Sequence, residues 1–111
     1  MYIAAFIFEP GGYDEEFHLL NDQIKDVAES LPGFIGSESW QSTTDNIMNS
    51  TYYWEDEASL KEFSRHPRHL EAKRQYARWY EGYQVIISKL ERSYGDGRLR
   101  HFTLNDRTRK S

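Results

Sequence analysis

The residues with the most chemical reach lie between Trp54 and Tyr83. On a helical wheel His69 falls near the middle of an arc formed by Leu70, Ala72, Lys73, Tyr76, Ala77, Trp79 and Tyr80. A histidine centred on such a face points inward. Its ordinary pKa lies near neutrality, so it can serve as a general base, for example towards a phenol-like substrate. The same placement also suits a wall of a pocket without catalysis, or a core histidine satisfied by one hydrogen bond. Tyr76, Tyr80 and Tyr83 recur about one turn apart. Their rings can stack on an aromatic ligand and their hydroxyls can orient it. Any single one of them suits core packing with its hydroxyl at the surface better than ligand contact. Trp54 and Phe63 join Tyr76 and Tyr80 as candidate substrate-binding rings, although Trp54, like Trp79, also reads as structural.

Other chemistries find less support. His66 precedes Pro67 at a helix start, which reads as a cap or surface residue. His66 and His69 stand three apart, a spacing that suits a metal, but no third ligand is near and no metal is expected. His18 faces away from its helix's apolar stripe, and His101 lies in the tail. The chain has no cysteine, hence no disulfide, thiol nucleophile or cysteine-ligated metal. Gly11-Gly12 lacks the spacing of a nucleotide fingerprint and reads as a turn. Trp40 reads as packing on a hairpin, and Glu91-Arg92 as a structural ion-pairing couple.

The elements that must position these residues follow from periodicity. Tyr2 to Phe8 is an apolar run of strand length, broken by Glu9-Pro10-Gly11-Gly12. A helix is predicted from Asp14, its N-cap, to Ser30, with one stripe of Phe17, Leu20, Ile24, Val27 and Leu31. Phe34 to Gln41 and Ile47 to Trp54 read as a hairpin around a polar five-residue gap. A second helix starts near Asp56, is interrupted at His66-Pro67, and continues to about Glu81. Tyr83 to Tyr94 is the last strand. The order is β-α-β-β-α-β with a kinked second helix, a ferredoxin-like α+β fold with helices on one face of a four-stranded sheet.

The first and last strands are apolar on both sides, because successive side chains alternate between faces. One side can pack on helices. The other would be an exposed apolar patch, which usually marks an interface. Two sheets closing face to face in a homodimer resolve it. From Gly95 onward five basic residues meet two acidic ones, whereas the rest holds nine basic and sixteen acidic. The domain therefore spans 1–94, followed by a basic tail over 95–111. From Gly97 that tail is expected to be disordered or laid on the second subunit, and dispensable for folding. An acidic body argues against nucleic acid. No run approaches the ~18 apolar residues of a membrane span. The first apolar run has no basic stretch before it and reads as a strand rather than a signal peptide, and the cytoplasm is the expected location.

Tyr53 to Gly95 reads Y-W-E-D-E-A-S-L-K-E-F, then H-P-R-H-L-E-A-K-R, R-W-Y-E-G-Y and L-E-R-S-Y-G. These strings resemble the antibiotic biosynthesis monooxygenase family, in an uncharacterised bacterial branch. The first fifty residues fit more loosely, through Leu31-Pro32-Gly33-Phe34-Ile35-Gly36 and Glu38-Ser39-Trp40. The resemblance implies a dimeric α+β barrel with a pocket between sheet and helices in each subunit. It also implies oxidation of polycyclic aromatic substrates without metal or flavin, or haem degradation, while other members have no known activity. The haem-degrading pattern departs at all three of its positions. Aligned from Trp54, its helix Trp falls on Phe63 and its His on Lys73, and Tyr2–Phe8 contains no Asn.

Two functions from different classes follow. One is a monooxygenase-like enzyme without bound cofactor, acting on a small aromatic or polyketide-like molecule, with His69 as base. The other is a non-catalytic dimeric module that binds a small ligand or a partner. Haem handling with altered ligation is a third.

Overall fold

The computed structural model describes residues 1–103. Its elements run β1 (Tyr2–Pro10), α1 (Glu15–Ser30), β2 (Phe34–Gln41), β3 (Met48–Trp54), α2 (Glu57–Arg65), α3 (Pro67–Arg74), α4 (Tyr76–Trp79) and β4 (Tyr80–Lys89). The strands form one antiparallel sheet in the order β2-β3-β1-β4. This is the ferredoxin-like α+β arrangement expected from the sequence.

Three of the four helix starts among the described residues carry a side-chain cap, and α4 does not. Asp14 Oδ1 accepts the Phe17 N–H at 2.8 Å, and Asp56 Oδ1 accepts the Ser59 N–H at 2.7 Å. Both satisfy a donor that the first turn would otherwise leave unpaired. His66 caps α3 through Nδ1, which accepts the Arg68 N–H at 3.2 Å, and Pro67 follows at the first helical position.

The single helix predicted from Pro67 to Glu81 does not form. It breaks at Gln75, where φ is −105° and ψ 11°, and β4 begins at Tyr80 rather than Tyr83. The cause is tertiary anchoring of Trp79. Its carbonyl accepts the Gly11 N–H at 2.6 Å, and its indole N–H donates to Asp14 at 3.2 Å. Arg78 pairs with Asp14 at 2.9 Å and Glu16 at 3.0 Å. These ties hold residues 78–79 at the β1–α1 junction, where a continuing helix could not place them. At its other end β4 stops at Lys89, so Glu91 and Arg92 lie exposed beyond it instead of within the strand.

The register sorts the faces. Tyr2, Ala4 and Trp54 face the helices, where Trp54, Ala28, Leu60 and Phe63 form the core with Ile24, Val27, Leu31 and Phe34 around them. Ile3, Ala5 and Ile7 face the other way, beside Tyr53 and Thr51 on β3 and Ile86 on β4. β4 is exposed along most of its length, including Tyr83, Val85, Ile86 and Ile87. Trp40 is also exposed, so it does not pack as expected.

Beyond β4, Gly97 adopts φ 81°, a left-handed conformation that glycine takes at little cost. Asp96 accepts the Arg98 N–H beside it at 3.0 Å. The chain then brings His101 and Phe102 onto Tyr53 of its own sheet. Up to Thr103 the described part of the tail thus lies against its own sheet. Arg107, Arg109 and Lys110 lie outside the described residues. Among the described residues, no helix is long and apolar enough to cross a membrane.

Candidate functional site: an aromatic layer between sheet and helices

Rings cover the helix-facing side of the sheet from one end to the other. At one end Trp54 meets Phe34 at 5.3 Å between centroids and Phe63 at 5.1 Å. Phe63 stacks on Tyr52 at 5.5 Å and takes the His69 ring edge-on at 4.8 Å. At the other end Tyr80 stands edge-on to Phe6 at 5.2 Å and Phe8 at 5.0 Å. Tyr83 bridges Phe6 at 5.7 Å and Tyr76 at 5.1 Å.

Of the expected site residues, His69, Phe63 and Trp54 therefore come together. Tyr80 belongs to the far end of the layer and Tyr76 to its exposed edge. The helical wheel failed for Tyr76 and Tyr80 because the helix ends at Trp79, so they do not share a helical face. Leu70, Lys73 and Ala77 are exposed, not inward. Along α3, Pro67, Leu70, Lys73 and Arg74 line a shallow outer depression of about 610 Å³.

Among the described residues, three buried polar atoms in this layer have no hydrogen-bond partner: His69 Nδ1, Trp54 Nε1 and the Tyr13 hydroxyl. Buried polar atoms are nearly always paired, so unpaired ones need a reason. Two of the three belong to rings that touch Phe63. Burial first, then the Lys73 and His66 charges, push the His69 pKa down to about 4, so the imidazole is neutral at pH 7. Burial also raises the Tyr80 pKa, with Tyr13 and Tyr52 adding to it. Burial raises that of Tyr52 too, and Glu29 adds to the effect. These phenols stay protonated and available as donors.

Tyr13 was missed in the sequence, where the Gly11-Gly12 turn drew attention. Its ring stacks on Phe17 at 3.9 Å and stands edge-on to Tyr80 at 6.2 Å. The available signal was its place just before the Asp14 cap, where an apolar residue often packs back on the first turn.

The fold and the aromatic layer define a class, a small α+β domain with rings between sheet and helices. The sequence profile described as antibiotic biosynthesis monooxygenase matches residues 1–75, and the chain belongs to that family. Comparison with curated proteins gave no match. Among solved structures, a mutant of SnoaB, a cofactor-independent oxygenase from Streptomyces nogalater, has a TM-score of 0.68 at 13% identity, covering 83% of this chain and 94% of that one. Rv0793 from Mycobacterium tuberculosis has a TM-score of 0.67 at 13% identity, covering 86% and 100%. A conserved protein from Methanosarcina mazei has a TM-score of 0.65 at 17% identity, covering 80% and 92%. At these identities the likeness shows the fold.

Proposed function

We propose that this protein is a cofactor-independent monooxygenase-like enzyme that takes a small aromatic or polyketide-like phenol against the Phe63 end of the aromatic layer. The observation that carries the reading is the pair of unpartnered atoms, His69 Nδ1 and Trp54 Nε1, on rings that both touch Phe63. Trp54 is fully buried and Phe63 nearly so, so a flat apolar ligand with a few polar atoms would part the rings on the His69 side to reach and satisfy them. The family and the SnoaB likeness support the oxygenase class. His69 would accept the phenolic proton, and Tyr80 and Tyr76 would orient the remoter rings. The resulting phenolate gives up electrons to dioxygen, and a ring methylene becomes a carbonyl: CH₂ plus O₂ yields C=O plus water. The substrate is the reductant, so the atoms and electrons balance without a further donor.

The reading includes a homodimer, supported by the apolar side chains left on the open face of the sheet, and a place in the cytoplasm, which suits a cysteine-free chain. Oxygen uptake with a polycyclic phenol as probe tests the activity. Turnover is expected in the wild type and a loss of about 100-fold or more in His69→Ala, with probe affinity by Trp fluorescence falling only about fivefold for the one lost hydrogen bond. Probe binding without any oxygen uptake sinks the enzyme reading.

One observation favours the binding-module alternative. A His69 pKa near 4 makes a weak base for a phenol. The phenolate would have to hold the imidazolium beside it as a pair. Under the alternative, His69 only donates or accepts a hydrogen bond, and the probe raises the melting temperature without being oxidised.

A further inference from the structure

The open face of the sheet carries a second built cluster, away from the aromatic layer. Glu38 on β2 accepts bonds from Tyr53 and His101, with Trp40 adding a third. The Tyr53 hydroxyl donates to Oε1 at 2.6 Å, and His101 Nε2 donates to Oε2 at 2.9 Å. The His101 tautomer fits. Thr103 N–H donates to Nδ1 at 3.1 Å, which leaves the proton of a neutral ring on Nε2, facing Glu38. Phe102 sits edge-on to Tyr53 at 4.7 Å and directly over Gly36. A Cβ at Gly36 would stand 2.8 Å from Phe102 Cδ1, so the glycine makes room for the ring. Under this cover Tyr53 is only 8% exposed.

The position of this cluster matters for the dimer. Tyr53 pairs with Ile3 in the register, so the docked segment borders the apolar row of Ile3, Ala5 and Ile7. Two sheets that pack face to face stand about 10 Å apart, with their side chains filling the gap. A chain segment lying on one sheet occupies that layer.

We propose that residues 101–103 form an intramolecular strap that competes with a second copy of this chain for the β2–β3 half of the open face, so that releasing the strap tightens self-association. The inference rests on the homodimer reading above. The second copy is the occupant because the uncovered half continues as an apolar surface through Ala5 and Ile86, which pair with each other.

The test is a sedimentation dilution series on full-length wild type, Phe102→Ala and Gly36→Ala. Phe102→Ala removes the ring, and Gly36→Ala evicts it from the sheet side. Far-ultraviolet circular dichroism checks that each variant is folded, and a failure of one leaves the other to decide. The strap predicts that both variants dimerise more tightly, by about tenfold in dissociation constant. Equal dissociation constants would overturn it. Weaker dimers would overturn it too, since the segment would then bridge subunits. If wild type and variants are all monomeric at every concentration, the dimer reading falls and the strap with it.

Discussion

His69 is where the physical chemistry of a single residue is most exposed. Its Nδ1 is buried without a partner, and its pKa falls from an ordinary 6.5 to about 4. Between those values the unfolded chain binds more protons than the folded one, so stability rises with pH. The contribution is complete above pH 6.5, declines as pH falls, and levels off below about 4. A depression of that size amounts to on the order of 3 kcal/mol. Wild-type urea midpoints are therefore expected to drop between pH 7 and pH 4.5. In His69→Leu that drop should be much smaller. At pH 7 the Leu variant should match the wild type or exceed it by up to about 1 kcal/mol, because a stranded polar atom is gone. Equal pH slopes in the two proteins would show that another group titrates. The wheel aimed His69 inward with an arc whose Leu70, Lys73, Tyr76 and Ala77 are exposed, so its burial comes from packing on Phe63 and not from that arc. That partner was not legible in the sequence, because Phe63 lies on another helix and only the turn at His66-Pro67 brings the two rings together.

At the scale of elements, caps and stripes were legible and the α3–α4 break was not. Asp14 and Asp56 precede acidic first turns, and the α1 stripe of Leu20, Ile24, Val27 and Leu31 packs where its spacing directed. These signals are local. The break at Gln75 comes from Trp79 and Arg78 reaching residues more than sixty positions away, which no local pattern announces. Asp14 is the hub of that junction. It caps α1, pairs with Arg78 and accepts from the Trp79 indole. Helix bonding and Arg78 keep its carboxyl below the usual carboxylate range. Asp14→Ala is expected to lower the melting temperature by several degrees more than Asp56→Ala, which loses a cap without a second element attached. Asp14→Ser restores the cap but reaches Arg78 and Trp79 less well, so it should recover only part of the loss. A full recovery in Asp14→Ser would mean that the Trp79 junction contributes nothing beyond the cap. Thermal unfolding followed by circular dichroism separates these outcomes.

For the whole molecule the decisive question is which face of the sheet is covered in solution. Ile86 and Ile87 are neighbours on β4, exposed by 46% and 53%, so a lysine at either costs the isolated subunit about the same. They point to opposite faces. Ile86 pairs with Ala5 on the open side, and Ile87 pairs with Ala4 on the helix side. Closure of two open faces would bury Ile86 within the contact, on its β4 side, and leave Ile87 outside it. A lysine at a buried contact must shed its hydration without a partner, which is far more costly than at a wet edge. Ile86→Lys is therefore expected to give a folded monomer near 13.2 kDa by sedimentation equilibrium, at concentrations where the wild type is expected at twice that mass. Ile87→Lys should stay dimeric. If Ile87→Lys dissociates the dimer and Ile86→Lys does not, association runs through the helix side of β4. The aromatic layer at Tyr83 and Tyr76 would then be an interface rather than the margin of a ligand site.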